Sequence, residues 1–486
     1  MKFMKFTLSK LFQILVLSGI ILFVLRPMED PDFWWHIKTG ELIIQNRQIP
    51  LFDAYSFSAV GKPWIAHEWL SELFMFLLYN AGGVILSTLV FSVLILAAFW
   101  VTILRIEDKS NLYAASGALL LGAILSTPVL WPRPQIFSIL YMSIFLVLLD
   151  RFLKTGKLAT LIPLPVIMLL WVNQHGAFIV GLGVIGIFIV GRLVDALIRV
   201  IQQKENWKDI ADNLLWVLIL TLVICTLVTL LNPNGIRILV YPFQTINDAS
   251  LQQFNQEWAS PDFHERTWIP LAVMYLSLIG FGLKSKRPIS TTNILLVLVF
   301  GFMALSALKH VALFALVTIP VLADQISSVI PFSENQSQKD RFVRPFSFVV
   351  MLGVIFLFVN TLIHFEQKQE IVTRDRFPVE AVNFLTENQI NGRILNSYNW
   401  GGYMIWNLYP QYKVYIDGRC DMYGAEFVTH YVDIYFAKPG WEESLEKEKI
   451  DYVLVEQGTY ISAALQQDHE WQLMYEDEVS VIYSRN

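Results

Sequence analysis

The chain has 486 residues, 55% of them hydrophobic and 16% charged, with a mean hydropathy of +0.49. A chain this long and this apolar is a polytopic membrane protein, which excludes the soluble globular classes. The net charge of −5 offers no basic excess for nucleic acid, and the two cysteines, Cys225 and Cys420, lie far apart in unlike surroundings, so neither a disulfide nor a cysteine metal site is expected.

Lys2, Lys5 and Lys10 flank the start of the first apolar run, Leu8–Leu25. No small-residue cleavage site follows it, so the run reads as an uncleaved first helix. Further apolar runs are Val84–Leu104, Leu112–Leu130, Gln135–Leu149, Leu158–Val172, Ala177–Val194, Asn213–Leu231, Trp268–Leu283, Thr292–Leu308, Val311–Ile326 and Phe346–Ile363. Together they make about eleven spans at ~20 residues each. Trp69–Tyr79 is shorter, with Glu68 and Glu72 one helical turn apart, and reads as an interfacial or re-entrant helix.

With the lysine-rich N-terminus placed inside, the inner connections carry Arg151, Lys154, Lys157, Arg192, Arg199, Lys204, Lys208, Lys284, Lys286, Arg287, Lys339, Arg341 and Arg344. That satisfies the positive-inside rule at nearly every connection. The outer connections are then residues 26–68, 131–135, 173–176, 232–267 and 309–310. They hold five of the eight histidines: His36, His67, His175, His264 and His310. Titratable residues gathered on one face of a membrane protein mark an active or binding surface there. The placement expected is a bacterial inner membrane, with the N-terminus cytoplasmic.

After Ile363 the chain turns polar. We divide it into a membrane domain, residues 1–366, and an extracytoplasmic α/β domain, residues 367–486. In the latter, helices are expected over Pro378–Glu387, Met404–Leu408 and Ala425–Tyr435. Strands are expected over Gly392–Ser397, Lys413–Asp417 and Tyr452–Glu456, with a closing hairpin of Trp471–Glu476 and Val479–Ser484. Strand–helix alternation of this kind makes a small layered α/β domain.

The richest stretch for chemistry is Glu29-Asp30-Pro31-Asp32-Phe33-Trp34-Trp35-His36, directly after the first run. Read as an extended loop, Asp30 and Asp32 form a carboxylate pair that can hold a divalent cation or deprotonate an acceptor hydroxyl. The same residues also suit a plain turn. Trp34 and Trp35 are expected as interfacial anchors. His67 is a phosphate or metal ligand and Glu68 a member of an acidic cluster, or else a charge at a helix start. Arg133, between two prolines, suits a phosphate by its rigid bidentate fork. His175 is placed for phosphate contact or proton transfer, with Asn173 equally suited to cap a helix. Arg237, Lys309 and His310 are further phosphate candidates. Glu257, His264 and Glu265 lie in a long loop of the kind that forms lids or acceptor contacts. Trp400 and Tyr403 are candidates to stack on the ring of a bound ligand or, alternatively, to pack in a core turn.

These pieces together resemble the GT-C superfamily of integral membrane glycosyltransferases. Within it, Asp-Pro-Asp-Phe-Trp-Trp-His (30–36), His-Glu-Trp-Leu-Ser-Glu (67–72), Arg-Pro-Gln (133–135) and Tyr-Asn-Trp-Gly-Gly-Tyr (398–403) resemble a bacterial family of multi-pass proteins. The resemblance implies an α-helical polytopic fold and a polyprenyl-phosphate sugar donor. The acceptor would be a lipid, a glycan or a protein, on the outer face of the bilayer. It implies a first-loop catalytic acid at Asp30 or Asp32. It leaves the metal open: some relatives use a divalent cation such as Mg or Mn, which Asp30 and Asp32 would hold, and others none. The rivals are a transporter or flippase of lipid-linked glycans and a non-catalytic subunit of an envelope polysaccharide assembly system. A transport path needs charge in mid-helix, and the helix interiors here are nearly free of it.

Overall fold

The computed structural model describes residues 7–202, 212–246, 256–331 and 340–486. Lys2, Lys5, Lys204, Lys208 and Lys339 lie outside the described residues, as do the side chains of Arg341 and Arg344. The described residues pack as two units. One comprises Met1–Arg26, Thr88–Leu239 and Gln256–Ile363; the other comprises Pro27–Ser87, Val240–Asn255 and His364–Asn486.

The first unit is helical. All eleven apolar runs are helices in the structure, because continuous apolar stretches satisfy their backbone internally where no water can. Their ends carry the expected signals. Thr7, Asn111, Asp212 and Ser290 each accept a backbone N–H of the first turn of the helix they precede. Gly156, at φ +65°, ends the helix Gln135–Thr155. Val311–Val329 is the innermost helix, with nearly every residue buried. It lies close to Leu112–Ser126, where a Cβ on Gly122 would overlap Ile319. Among the described residues, six helices are long and apolar enough to cross a membrane, or up to seven if one bent pair is a single span, and four apolar helices are shorter. The protein is therefore a multi-pass membrane protein.

Several charges at the helix ends of this unit are paired. Asp324 accepts the backbone N–H groups of Glu107 and Asp108 and meets Arg287 at 3.0 Å. Arg105 Nε donates to Asp150 at 2.7 Å and its Nη2 donates to Asn293.

The second unit is an α/β body in which the first loop and the C-terminal region fold together. Sequence composition put the boundary at residue 366. The structure packs residues 27–87 with the C-terminal part, because that loop contributes a helix, Asp32–Asn46, and the isolated bridge Ser56–Val414. The sheet is four-stranded: β1 (Ile394–Asn396), β2 (Tyr452–Glu456), β3 (Trp471–Glu476) and β4 (Ser480–Arg485), in the order β1-β2-β4-β3. β1 and β2 are parallel; β2–β4 and β3–β4 are antiparallel. The strand expected over Lys413–Asp417 is no strand. Asn396 takes the place of a ladder partner: its Oδ1 accepts Tyr415 N at 2.8 Å and its Nδ2 donates to Ile416 O at 2.8 Å. The helices Phe365–Arg376, Trp441–Lys447 and Tyr460–Gln467 were not expected.

Trp69–Ile103 is helical throughout except at Gly82 and Gly83, where the backbone leaves helical geometry and Gly83 adopts φ +64°. Only glycine takes that conformation without strain, so the break falls there and separates the apolar stretches that begin at Trp69 and at Val84.

Candidate active site

The carboxylate pair of the first loop is built by a helix start. Asp30-Pro31-Asp32 is not an extended loop. Pro31 precedes the helix Asp32–Asn46, and Asp30 Oδ1 accepts the Asp32 backbone N–H at 2.9 Å. Short acidic residues bonding a backbone N–H two positions on favour a chain reversal over extension. Asp30 is 5% exposed. Asp32 is half-buried in the first turn, where the unpaired N–H groups favour an anion. Trp35 Nε1 donates to Asp32 Oδ1 at 3.0 Å, one turn along.

Trp34 and Trp35 are not interfacial anchors. Both are buried. Trp34 packs edge-on against Tyr403 at 5.3 Å and Phe377 at 5.8 Å, and Trp35 lies over His36 with ring centroids 3.7 Å apart. A helical turn sends the two indoles inward, into an aromatic core that sequence position alone did not reveal.

His36 is 2% exposed and faces two carboxylates of the helix that begins at Trp69 and of the residue before it. Its Nδ1 lies 3.4 Å from Glu72 Oε1, and its Nε2 lies 3.8 Å from Glu68 Oε2. His67 Nε2 is 3.6 Å from Glu68 Oε1, and the His67 ring lies 4.6 Å from that of Tyr241. Tyr241 donates to Asp421 Oδ2 at 2.7 Å. Burial and the neighbouring Asp421 push the Tyr241 hydroxyl well above its usual range, so it stays a donor. The structure thus brings Asp30, Asp32, His36, His67 and Glu68 into one unit and adds Glu72, Tyr241 and Asp421.

Two glycines seat this cluster, and sequence reading missed both roles. A Cβ on Gly418 would overlap Asp32 Oδ1 and lie 3.1 Å from Trp35 Nε1. A Cβ on Gly402 would overlap the carbonyl of Pro31. In Tyr-Asn-Trp-Gly-Gly-Tyr, Gly402 is therefore a seat for the Asp30–Asp32 turn, while Gly401 packs against the backbone of Ile416 and Asp417. Trp400 and Tyr403 flank the pair as core residues: Trp400 Nε1 donates to Arg376 O at 3.0 Å, and Tyr403 stacks on Phe377 at 5.1 Å.

Beneath it lies a buried charge cluster. Arg419 Nη2 meets Asp417 at 2.6 Å and Asp53 at 2.7 Å, and the guanidinium lies against the adjoining rings of Tyr55 and Trp64, 4.8 and 4.7 Å from their centroids. Tyr423 donates to Asp417 at 2.8 Å. Burial opposes the charge of Arg419, but the two carboxylates outweigh it and hold the guanidinium cationic.

The remaining candidates belong to the helical unit. Arg133 Nη1 donates to Glu257 Oε1 at 2.5 Å, so this arginine carries its own counter-ion. Lys309 lies over the Trp258 ring, 2.7 Å from its centroid, and Leu308 N donates to Ala259 O at 3.0 Å. These bonds pin the stretch 256–259 of the long loop. His310 Nδ1 faces Met303 O at 3.2 Å. His264 is fully exposed and bonds Asp262, while Glu265 and Arg237 are exposed. Asn173 is not the helix cap, which is His175; it lies in the last turn of the helix Pro163–Gln174, where its Nδ2 donates to Leu169 O and its Oδ1 accepts Asn232 Nδ2 at 3.2 Å.

His175 has a tautomer set by its neighbours. Its Nδ1 receives the backbone N–H of Ala177 at 3.2 Å, and Ser138 Oγ lies 2.7 Å away. Trp171 Nε1, an obligate donor, gives its proton to Ser138 Oγ at 2.6 Å. The Ser138 hydroxyl proton is therefore directed to Nδ1, and the ring proton resides on Nε2.

Among the described residues no three of His, Cys, Asp and Glu are grouped to hold a divalent cation, and Asp30 Oδ1 and Asp32 Oδ1 are each engaged by an N–H donor.

No family model matches the sequence, and no curated protein matches it. Solved structures do match its fold. The archaeal oligosaccharyltransferase AglB of Archaeoglobus fulgidus, in complex with an inhibitory peptide and a dolichol-phosphate, aligns over 98% of this chain and 74% of its own, at 11% identity and TM-score 0.55. The arabinofuranosyltransferase AftD from Mycobacteria aligns over 99% of this chain and 42% of its own, at 13% identity and TM-score 0.51. These likenesses show that the chain shares its fold, a helical body with a small C-terminal sheet, with these two solved proteins.

Proposed function

We propose that the protein is a membrane glycosyltransferase that moves a sugar from a polyprenyl-phosphate donor to a lipid, glycan or protein acceptor on the outer face of a bacterial inner membrane. The observation that carries this reading is the carboxylate of Asp32. It is half-buried at a helix start, oriented by Trp35 and backed by Gly418, in a chain that shares its fold with AglB. The solved AglB complex contains a dolichol-phosphate, which supports a lipid-phosphate donor.

The reaction is a displacement at the anomeric carbon. The acceptor oxygen forms the new bond, the lipid phosphate leaves as an anion, and the acceptor proton passes to Asp32 as general base. Asp30 is a positioning residue, through its bond to the Asp32 backbone. Within the helical unit, Arg133, His175, Lys309 and His310 are the candidates for contact with a lipid phosphate, Arg133 by exchanging Glu257 for it. His175 makes that contact as a neutral N–H donor from Nε2.

Single Asp30→Asn and Asp32→Asn variants and the double variant test the assignment, with sugar transfer measured in membranes. Asp32→Asn is expected to lower transfer by roughly 10²–10⁴-fold, the scale of general-base catalysis, and Asp30→Asn by less. Unchanged transfer in all three variants overturns the proposal. Glycolipid analysis of a deletion strain names the sugar, by a missing glycan or an accumulated donor.

A further inference from the structure

The helical unit contains a groove that the reading above does not use. It is a cavity of about 630 Å³, walled by the helices Leu8–Val24, Leu112–Ser126 and Ile269–Lys284. Gly19, Phe23, Leu120 and Ile124 line its length, and Phe23 and Ile124 are about half exposed, so one side opens outward. In a membrane protein that side faces lipid.

The polar groups of the groove are concentrated at one end. The C-terminal ends of the first two helices and the N-terminal end of the third meet there, bringing Arg26 and Arg266 to the same mouth. Arg26 is held in place: its guanidinium lies 3.4 Å from the centroid of Trp131, and its Nη2 donates to Thr127 O at 3.3 Å. Arg266 is exposed in the short helical turn Arg266–Trp268. Two cations at the end of an apolar channel complement a molecule with an apolar chain and an anionic head.

Depth selects among such molecules. From Arg26 back to Gly19 the groove follows about 10 Å of helix at 1.5 Å per residue, well within the ~15 Å of one leaflet. That accommodates one acyl chain of a lipid in the adjoining leaflet. The open side leaves a second chain in the bilayer.

We infer that this groove is a binding site for an anionic glycerophospholipid, one acyl chain between the three helices and the phosphate on Arg26 and Arg266. The site is independent of the glycosyl-transfer reading.

Native mass spectrometry of the full chain, titrated with phosphatidylglycerol, phosphatidylethanolamine or undecaprenyl phosphate, tests it. One phosphatidylglycerol per chain is expected to bind, more tightly than phosphatidylethanolamine. Arg266→Gln and Arg26→Gln are each expected to weaken binding about fivefold, the scale of one interfacial cation. Arg266 is exposed, so its variant tests the charge without disturbing packing. Gly19→Leu fills the channel; a Cβ there meets nothing within 4 Å, so the helix tolerates it, and binding should be lost. Equal binding of both phospholipids, or unchanged binding in Arg266→Gln and Gly19→Leu together, overturns the proposal. Tighter binding of undecaprenyl phosphate than of phosphatidylglycerol also overturns it, by assigning the groove to an isoprenoid lipid.

Discussion

Gly418 lies against the carboxylate of Asp32 so closely that a Cβ on it would overlap Oδ1. Asp32 can make room only by giving up its bond from Trp35 Nε1. Gly418→Ala is therefore expected to abolish sugar transfer while the protein remains folded. Gly402→Ala is different, because its Cβ meets the backbone carbonyl of Pro31, which cannot rotate away. It should destabilise by about 1–3 kcal/mol, the usual cost of overpacking. Thermal unfolding in detergent beside a transfer assay separates the two; equal unfolding midpoints would refute the distinction.

Arg419 joins Asp417 and Asp53 with its side chain almost wholly buried. Removing one partner of a buried ion pair leaves the other charge uncompensated. Arg419→Met should cost about 3–5 kcal/mol. Adding Asp53→Asn and Asp417→Asn to that variant should recover part of the loss, measured as the unfolding midpoint. No recovery would mean that the aromatic packing on Tyr55 and Trp64, and not the charge, holds this region together.

Ser138 links Trp171 to His175. Ser138→Ala deprives the buried indole N–H of its acceptor and removes one of the bonds that orient the His175 ring. We expect a loss of about 1–3 kcal/mol in stability and a higher KM for the lipid-linked donor, both restored by Ser138→Thr. A KM that stays at the wild-type value would remove His175 from donor binding.

Asp108 accepts from Ser110 and Ser327, which lower its carboxyl to about 2 from the ordinary 3.8, with a smaller contribution from Arg287. A carboxyl depressed on folding adds stability above its unfolded pKa, and that stability is lost as the pH falls through the folded value. The contribution should therefore be present at pH 4 and above and vanish towards pH 2. It is on the order of 1 kcal/mol after solvent screening. Unfolding midpoints of the wild type and Ser327→Ala should differ at neutral pH and converge in acid; a constant difference would show that Asp108 is not the source.

The membrane helices were legible because the hydrocarbon leaves the backbone no alternative: a long apolar run must be a helix, and its capping residues Asn111, Asp212 and Ser290 mark its start. β2 and the helix Ala425–Tyr435 were legible from local alternation and periodicity. The site was legible only as a list of residue types. Nothing near Asp30 in sequence says that Gly402 and Gly418 seat it, that Trp34 and Trp35 turn inward, or that Glu257 neutralises Arg133. These facts depend on contacts between residues far apart in the chain, and a chemical group far along the chain leaves no periodicity to read. The same holds for Lys413–Asp417, whose extended pattern reads as a strand until Asn396 supplies the hydrogen bonds in place of one. By itself the sequence determined which segments are apolar helices and which residue types stand in the connections between them. Tertiary packing decided which of those residues meet, because burial and close approach are properties of the folded chain.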